Sequence, residues 1–177
     1  MKVEKFLFLP MTLAALVSGQ AFANDYGFKK INFKGFGAAV LAPNGTVWSN
    51  YLGQYSNDGI SKDGVITNSP AAKACEAIGG TLPTYGDYQS ILGLFSGDLN
   101  DIRLSIPQLK DLHQVFPFFK NRSFWTSTVN QNGFPNENNG GAYDAYVFID
   151  HYDNGIGDIQ GNRLSPEEQA GVVCVGH

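Results

Sequence analysis

Residues 69–84 have the sequence SPAAKACEAIGGTLPT, which predicts a short helix with a defined start and end. Ser69 is a typical N-cap, and Pro70 fits the first turn of a helix. The pair Gly79-Gly80 is typical of a helix end. Spacings of three and four residues place four small or apolar side chains on one face of this helix: Ala71, Ala74, Cys75 and Ile78. The cysteine is therefore predicted to face the core.

Two further helices follow in the sequence. The second begins at Thr84, whose side chain can cap it while Asp87 completes a Thr-x-x-Asp capping box. The third begins near Ser105-Ile106-Pro107 and ends before Pro117. Each has an apolar stripe at helical spacing, which predicts two sets of buried side chains: Tyr88, Ile91, Leu92 and Phe95, and then Leu109, Leu112, Val115 and Phe116.

Strand-like segments lie on both sides of the three helices. Before them, residues 30–33 and 38–41 resemble strands, and Pro43-Asn44-Gly45 predicts the turn of a hairpin. After them come three apolar or β-branched runs, at residues 124–129, 145–149 and 171–175. Polar stretches with glycine predict irregular loops at residues 49–68, 130–141 and 150–162. This order predicts an α+β, antiparallel fold whose N- and C-terminal strands are adjacent in one sheet.

The first 23 residues have the features of a secretory signal peptide. Lys2 and Lys5 precede an apolar run over residues 6–17, and Ala21-Phe22-Ala23 matches the small-x-small cleavage pattern. The run is shorter than the roughly 20 apolar residues of a membrane helix, as is every later apolar stretch. We therefore expect residues 24–177 to form one domain exported to the periplasm, the cell surface or the medium. An uncleaved N-terminal anchor is the alternative.

The charge and the cysteine count limit the possible partners and chemistry. Removal of the signal peptide takes away Lys2, Glu4 and Lys5, so 10 basic and 15 acidic residues remain of the 12 and 16 in the whole chain. This net charge of −5 argues against a nucleic-acid partner, which would need basic patches. Two cysteines, Cys75 and Cys174, predict a disulfide in an oxidising compartment, with two buried thiols as the alternative.

Four landmarks occur in a fixed order over residues 36–177. They are the Ala71-to-Thr84 segment with its cysteine, Asp87 and its helix, Phe124-Trp125-Thr126-Ser127-Thr128, and Val172-Val173-Cys174-Val175. In this order they resemble the C-type-lectin-like fold, in the compact bacterial form of intimin-type and invasin-type adhesin tips and of collagen-like adhesin C-terminal domains. The resemblance implies a disulfide from the first helix to the last strand and a non-catalytic surface that binds a ligand.

The residues expected to bind that ligand carry amides, carboxylates or an aromatic ring: Asn136, Glu137, Asn138, Asp144 and Trp125. Amides and carboxylates hydrogen-bond sugar hydroxyls, and loops at one end of a rigid scaffold commonly carry such sites. The alternatives are a solvated polar loop for the first four and a core position for Trp125.

No metal site is predicted, although calcium remains an alternative. Animal-type lectins hold calcium with Glu-Pro-Asn or Gln-Pro-Asp and a later Trp-Asn-Asp, whereas this chain has Phe134-Pro135-Asn136 and no Trp-Asn-Asp. Three carboxylates in a glycine-containing stretch offer oxygen ligands: Asp150, Asp153 and Asp158. The EF-hand pattern fails there, because Tyr152 and Gly161 occupy ligand positions. A polar turn is the alternative interpretation.

Enzymatic activity is not expected. His113, His151 and His177 belong to no nucleophile, metal-binding or phosphate-binding motif. The formylglycine-generating enzyme, which shares the superfold, depends on reactive cysteines, and here both cysteines occupy the bridge positions. We therefore expect an exported lectin-like module that binds a glycan or a surface protein in adhesion or recognition. The alternatives are a structural or assembly subunit of the bacterial envelope and a calcium-dependent lectin. The sequence predicts neither the ligand's identity nor the oligomeric state.

Overall fold

The structure is a computed structural model that describes nine stretches of the chain: residues 25–58, 61–62, 65–66, 68–98, 104–120, 122–129, 143–149, 156–164 and 168–176. The expected signal peptide, residues 1–23, lies outside the described residues. Within the stretches that are described, no helix has the length and apolar character needed to cross a membrane.

The fold is α+β, as the sequence predicts. In chain order the elements are β1 Lys29–Phe33, β2 Gly37–Leu41, β3 Val47–Ser49, β4 Gly53–Ser56, β5 Ser61–Lys62, β6 Val65–Ile66, α1 Pro70–Glu76, α2 Tyr85–Ser96, β7 Leu104–Ser105, α3 Ile106–Val115, a 3₁₀ turn Pro117–Phe119, β8 Arg122–Val129, β9 Tyr143–Ile149, β10 Ile156–Leu164, β11 Gln169–Val172 and β12 Val175–Gly176. Along the sequence, the three helices and the short strand β7 come after strands β1 to β6 and before strands β8 to β12.

The strands form two sheets. The first has the order β1-β2-β3-β12, and the second has the order β4-β11-β8-β9-β10-β7, with β6 also paired to β8 and β5 to β6. The strands of the N-terminal hairpin and the last strand thus share one sheet, as expected, and Val175 of β12 lies opposite Trp48 of β3. The pairing of β11 with β8 is parallel, with Gly171 opposite Phe124.

The three predicted helices are confirmed, because each carries its own start signal. Ser69 caps α1 and accepts a hydrogen bond from the Ala72 backbone N–H at 3.0 Å. Thr84 and Asp87 form the predicted capping box of α2, which ends at the left-handed Gly97. The predicted apolar stripes of α2 and α3 are buried throughout.

Two of the predicted loops are wrong in part. Residues 49–68 contain β4, which pairs with β11, and the short strands β5 and β6. The loop predicted at residues 150–162 is shorter, because β10 begins at Ile156. Neither β4 nor β10 has a clean apolar alternation, so their extended conformation depends on ladder hydrogen bonds, in β4 to the distant β11 and in β10 chiefly to the preceding β9. The predicted strand at residues 171–175 is divided into β11 and β12.

The core consists of two clusters on opposite sides of β8. Phe124 points into an aromatic cluster with α2 and α3, which contains Phe28, Trp48, Tyr88, Phe95, Phe116 and Phe119. Trp125, the next residue, points the other way into a cluster around the cysteines, with Ala71, Leu82, Ala170 and Val172. Alternate residues of a strand face opposite sides, so β8 is buried on both.

Candidate functional site

The predicted disulfide between Cys75 and Cys174 is present, with Cα atoms 5.4 Å apart, and no described cysteine is free. It joins α1 to the segment between β11 and β12. The backbone around it is fixed as well, because Ser49 N donates to the Cys174 carbonyl at 2.8 Å and Cys174 N donates to the Ser49 hydroxyl at 2.8 Å. Both cysteine sulfurs are therefore held in the disulfide bond, and the backbone beside Cys174 is held by hydrogen bonds to Ser49.

Trp125 is a core residue, which was the alternative interpretation of its sequence position. Its side chain is fully buried, and its indole N–H donates to the Tyr55 carbonyl at 2.6 Å. The Tyr88 hydroxyl donates to the carbonyl of Trp125 at 3.3 Å. The indole N–H and the backbone carbonyl of Trp125 thus both have partners inside the protein. Because the ring is fully buried, it cannot stack on a ligand at the surface.

Strand register shows where the polar candidates are attached. Asp144 is the second residue of β9 and lies directly opposite Arg163 of β10. Asn136, Glu137 and Asn138 lie outside the described residues, in the segment that leaves β8 after Val129 and enters β9 one residue before Asp144. Asp144 thus lies at the end of the sheet where that segment is attached, which we call the 130–142 end.

The calcium candidates are attached at the opposite end of β9. Asp158 lies in β10 opposite Ile149, whereas Asp150 and Asp153 lie outside the described residues, in the connection between those two strands. The five residue steps from Asp144 to Ile149 along β9 cover about 17 Å, so these residues belong to a different end of the sheet from Asp144. Where the structure is described, no group of three His, Cys, Asp or Glu side chains could hold a metal.

An arginine and a tyrosine that sequence reasoning missed meet at the surface. Arg122, the first residue of β8, is exposed, and its guanidinium carbon lies 4.5 Å from the centre of the Tyr51 ring. Tyr51 is half-buried in the link between β3 and β4. The two residues are 71 positions apart and belong to no motif, so only the tertiary fold could identify the pair.

The Tyr51 ring rests on the aromatic cluster. It meets the buried Phe124 edge to face at a centroid distance of 6.1 Å, and the half-buried Phe118 ring also lies 6.1 Å from the Phe124 ring. Phe124 in turn lies against Gly171, where an added Cβ would come within 2.8 Å of the ring. We call Tyr51, Phe118 and Arg122 the arginine–aromatic patch.

Two tyrosines have perturbed acidity, and neither lies in the arginine–aromatic patch. Burial raises the pKa of Tyr88 well above its ordinary value. Burial also raises the pKa of Tyr26, assisted by its hydrogen bond to the Asp111 carboxylate at 3.2 Å. Of the three histidines, His113 is half-buried on α3, and the other two lie outside the described residues.

Comparison with models of protein families, with curated proteins and with solved structures finds no match to this chain. The grounds for a function are therefore the chain's own residues, strand register and contacts.

Proposed function

We propose that residues 24–177 form an exported, lectin-like module that binds a glycan or a surface protein without catalysis. The observation that carries the proposal is the strand register, which brings Asp144 to the 130–142 end of the sheet, where the segment with Asn136, Glu137 and Asn138 is attached. Four candidate side chains are thereby connected to one end of a sheet rather than spread over the domain. Adhesion and surface recognition are the roles that suit such a module.

Two features support a lectin-like plan for the domain. The bridge from Cys75 to Cys174 ties the first helix to the chain's last strands. The last strand, β12, shares a sheet with the N-terminal hairpin. Both are what the resemblance implies.

The chemistry of the proposed site is hydrogen bonding. Carboxylates accept from hydroxyl groups, and amides both donate and accept, so these side chains match the pattern of a sugar or of a polar peptide surface. β9 and β10 are paired without interruption from Tyr143 to Ile149, and β8 joins β9 over Arg122–Trp125 and again at Val129, so the site is attached to a hydrogen-bonded sheet. A rigid base lowers the ordering cost of binding, because less side-chain and loop freedom is lost.

A binding screen with matched variants tests the proposal. The exported protein would be applied to a glycan array and to a panel of host-matrix proteins. Glu137→Ala and Asp144→Ala should each weaken binding to any hit about tenfold or more, since a charged hydrogen bond contributes roughly 1.5–3 kcal/mol. Glu76→Ala removes an exposed carboxylate at the end of α1 and should leave binding unchanged. Absence of any hit, or equal binding by all variants, would reject the site.

A structural or assembly subunit of the envelope is the second candidate, and one observation favours it. β7 pairs only with Ile156 and Gly157 of β10, so from Asp158 to Leu164 no described strand covers the outer edge of β10. Exposed edges accept strands from other chains. Light scattering of the purified protein and pull-down from envelope fractions should then show a stable complex, whereas a monomer with no envelope partner favours the binding module.

The calcium-dependent alternative is tested by melting with and without a chelator. A ligand that binds only the folded state raises the melting temperature. We expect equal melting temperatures in excess calcium and in excess chelator. A rise with calcium that disappears in Asp150→Asn or Asp153→Asn would support the alternative instead.

A further inference from the structure

We propose that the arginine–aromatic patch is a second binding site, in which Arg122 receives the carboxylate of an acidic sugar such as a uronic acid and the half-buried rings contact the sugar. This site is independent of the 130–142 end. Arg122 lies opposite Phe148, four residues along β9 from Asp144, which corresponds to about 14 Å.

The N–H groups of the Arg122 guanidinium can donate to a ligand. Arg122 is exposed, and its guanidinium lies over the ring of Tyr51. Where the chain is described, no ion pair or side-chain hydrogen bond engages this guanidinium. A guanidinium held over a ring still has its N–H groups directed outward in its own plane, where they can donate two parallel hydrogen bonds to one carboxylate. The Arg122 fork is thus oriented and available.

The aromatic part of the patch is rigid. The backbone on either side of Tyr51 is tied to the C-terminal segment, because Ser49 N donates to the Cys174 carbonyl at 2.8 Å and Leu52 N donates to the Val172 carbonyl at 2.9 Å. The Tyr51 ring is supported by the buried Phe124. A ligand therefore meets a site whose aromatic part is already ordered, which reduces the cost of binding.

The groups of the patch match a ligand that carries a carboxylate next to a ring. A carboxylate satisfies the fork of Arg122, and the half-buried ring of Tyr51 beside it offers apolar surface. The half-buried Phe118 packs on the same Phe124 ring that supports Tyr51. A sugar ring with a carboxylate substituent presents both kinds of group at once. A peptide C-terminus is instead usually captured by a nest of backbone N–H groups, whereas the donors here belong to a side chain. The pattern favours an acidic sugar over a peptide.

The experiment is calorimetric titration of the exported protein with di- and trisaccharides of galacturonate, glucuronate and mannuronate. At least one should bind, and its methyl ester should bind at least tenfold more weakly. Arg122→Gln should reduce affinity for the acid at least tenfold. Arg122→Lys should also reduce it several-fold, because lysine keeps the charge but lacks the planar fork. Arg122 is exposed, so both variants should melt like the parent protein.

Matched controls separate this site from the rest of the molecule. Lys34→Gln removes an exposed positive charge elsewhere on the surface and should leave affinity within twofold. Glu137→Ala and Asp144→Ala should do the same, so that failure of the 130–142 end and failure of this site are told apart. Equal binding of acid and ester, unchanged affinity in Arg122→Gln, stronger binding of a peptide C-terminus or no binding of any uronate would each overturn the proposal.

Discussion

Tyr88 shows how a single buried hydroxyl links this fold to pH. The side chain is fully buried between Trp48 and Phe119, and burial raises its pKa well above the ordinary value. The unfolded chain ionises this group near pH 10. The stability gained from keeping it protonated is complete below about pH 10 and is lost as the pH rises from there towards the pKa of the folded state.

Tyr88→Phe should therefore change the pH profile of stability. Near pH 7 we expect a loss of about 0.5–1.5 kcal/mol, because the hydrogen bond to the Trp125 carbonyl disappears. Above about pH 10 the free energy of unfolding should fall less steeply than in the parent protein, because one ionisable group fewer is held neutral by the fold. Urea denaturation at a series of pH values measures both effects. Parallel profiles for the two proteins would contradict this explanation.

Gly171 illustrates a residue whose lack of a side chain shapes its surroundings. An added Cβ would come within 2.8 Å of the Phe124 ring and 3.1 Å of the Ser123 carbonyl. Gly171→Ala should destabilise the fold by about 1–3 kcal/mol through overpacking. The control Gly86→Ala, in the first turn of α2, meets only the Thr84 hydroxyl at 3.7 Å, and should be neutral or stabilise by up to about 1 kcal/mol. Urea denaturation measures the free energy of unfolding of both variants. Equal effects of the two substitutions would contradict the overpacking explanation.

At the scale of elements, the start of α2 depends on a reciprocal cap. The Thr84 hydroxyl accepts from the Asp87 N–H at 3.1 Å, and the Asp87 carboxylate accepts from the Thr84 N–H at 2.7 Å. Thr84→Ala should cost about 1 kcal/mol. Ser90, on the same helix, donates to the Gly86 carbonyl at 2.9 Å, and Ser90→Ala should be neutral or slightly stabilising. Thermal melting compares the two; a larger loss in Ser90→Ala would refute the assignment.

Local signals explain which elements were predictable. The helices were found because Ser69, Thr84 and Pro107 mark their starts within a few residues of sequence. β4 was missed because Gly53–Ser56 has no strand pattern of its own and becomes extended only beside β11, far along the chain. Such long-range pairing cannot be inferred from a window of neighbouring residues. The start of β10 was missed because its mixed sequence has no clean alternation, although its partner β9 directly precedes it.

Among the candidate sites, too, some features were predictable from the sequence and others depend on the tertiary fold. The bridge from Cys75 to Cys174 was predictable because only two cysteines exist. The pair of Arg122 and Tyr51 was not, because 71 positions separate them and each alone is an ordinary surface or loop residue. Trp125 carried a double interpretation in the sequence, since an aromatic residue in a strand-like run suits either the core or a ligand; its burial in the second cluster assigns it to the core.

At the scale of the whole molecule, the disulfide closes a loop of 99 positions. Cys75→Ala/Cys174→Ala should lower the free energy of unfolding by about 2–5 kcal/mol, because the unfolded chain regains the freedom that the bridge removes. Urea denaturation of this double variant, and of the parent protein with and without a reductant, provides the measurement. The reduced parent should match the double variant, and a loss below about 1 kcal/mol in both would contradict a stabilising bridge.

The division of the C-terminal segment between the two sheets has a consequence for synthesis. β11 lies between β4 and β8 in one sheet, and β12 pairs with β3 in the other. Both sheets are therefore incomplete until residues 169–176 have been synthesised. These residues leave the ribosome after all the other described elements. Until they emerge, β4 lacks the strand it pairs with, β3 and β8 each lack one neighbour, and Cys75 lacks its disulfide partner. The two sheets therefore reach their final strand order, and the bridge can form, only when the last strands have been made.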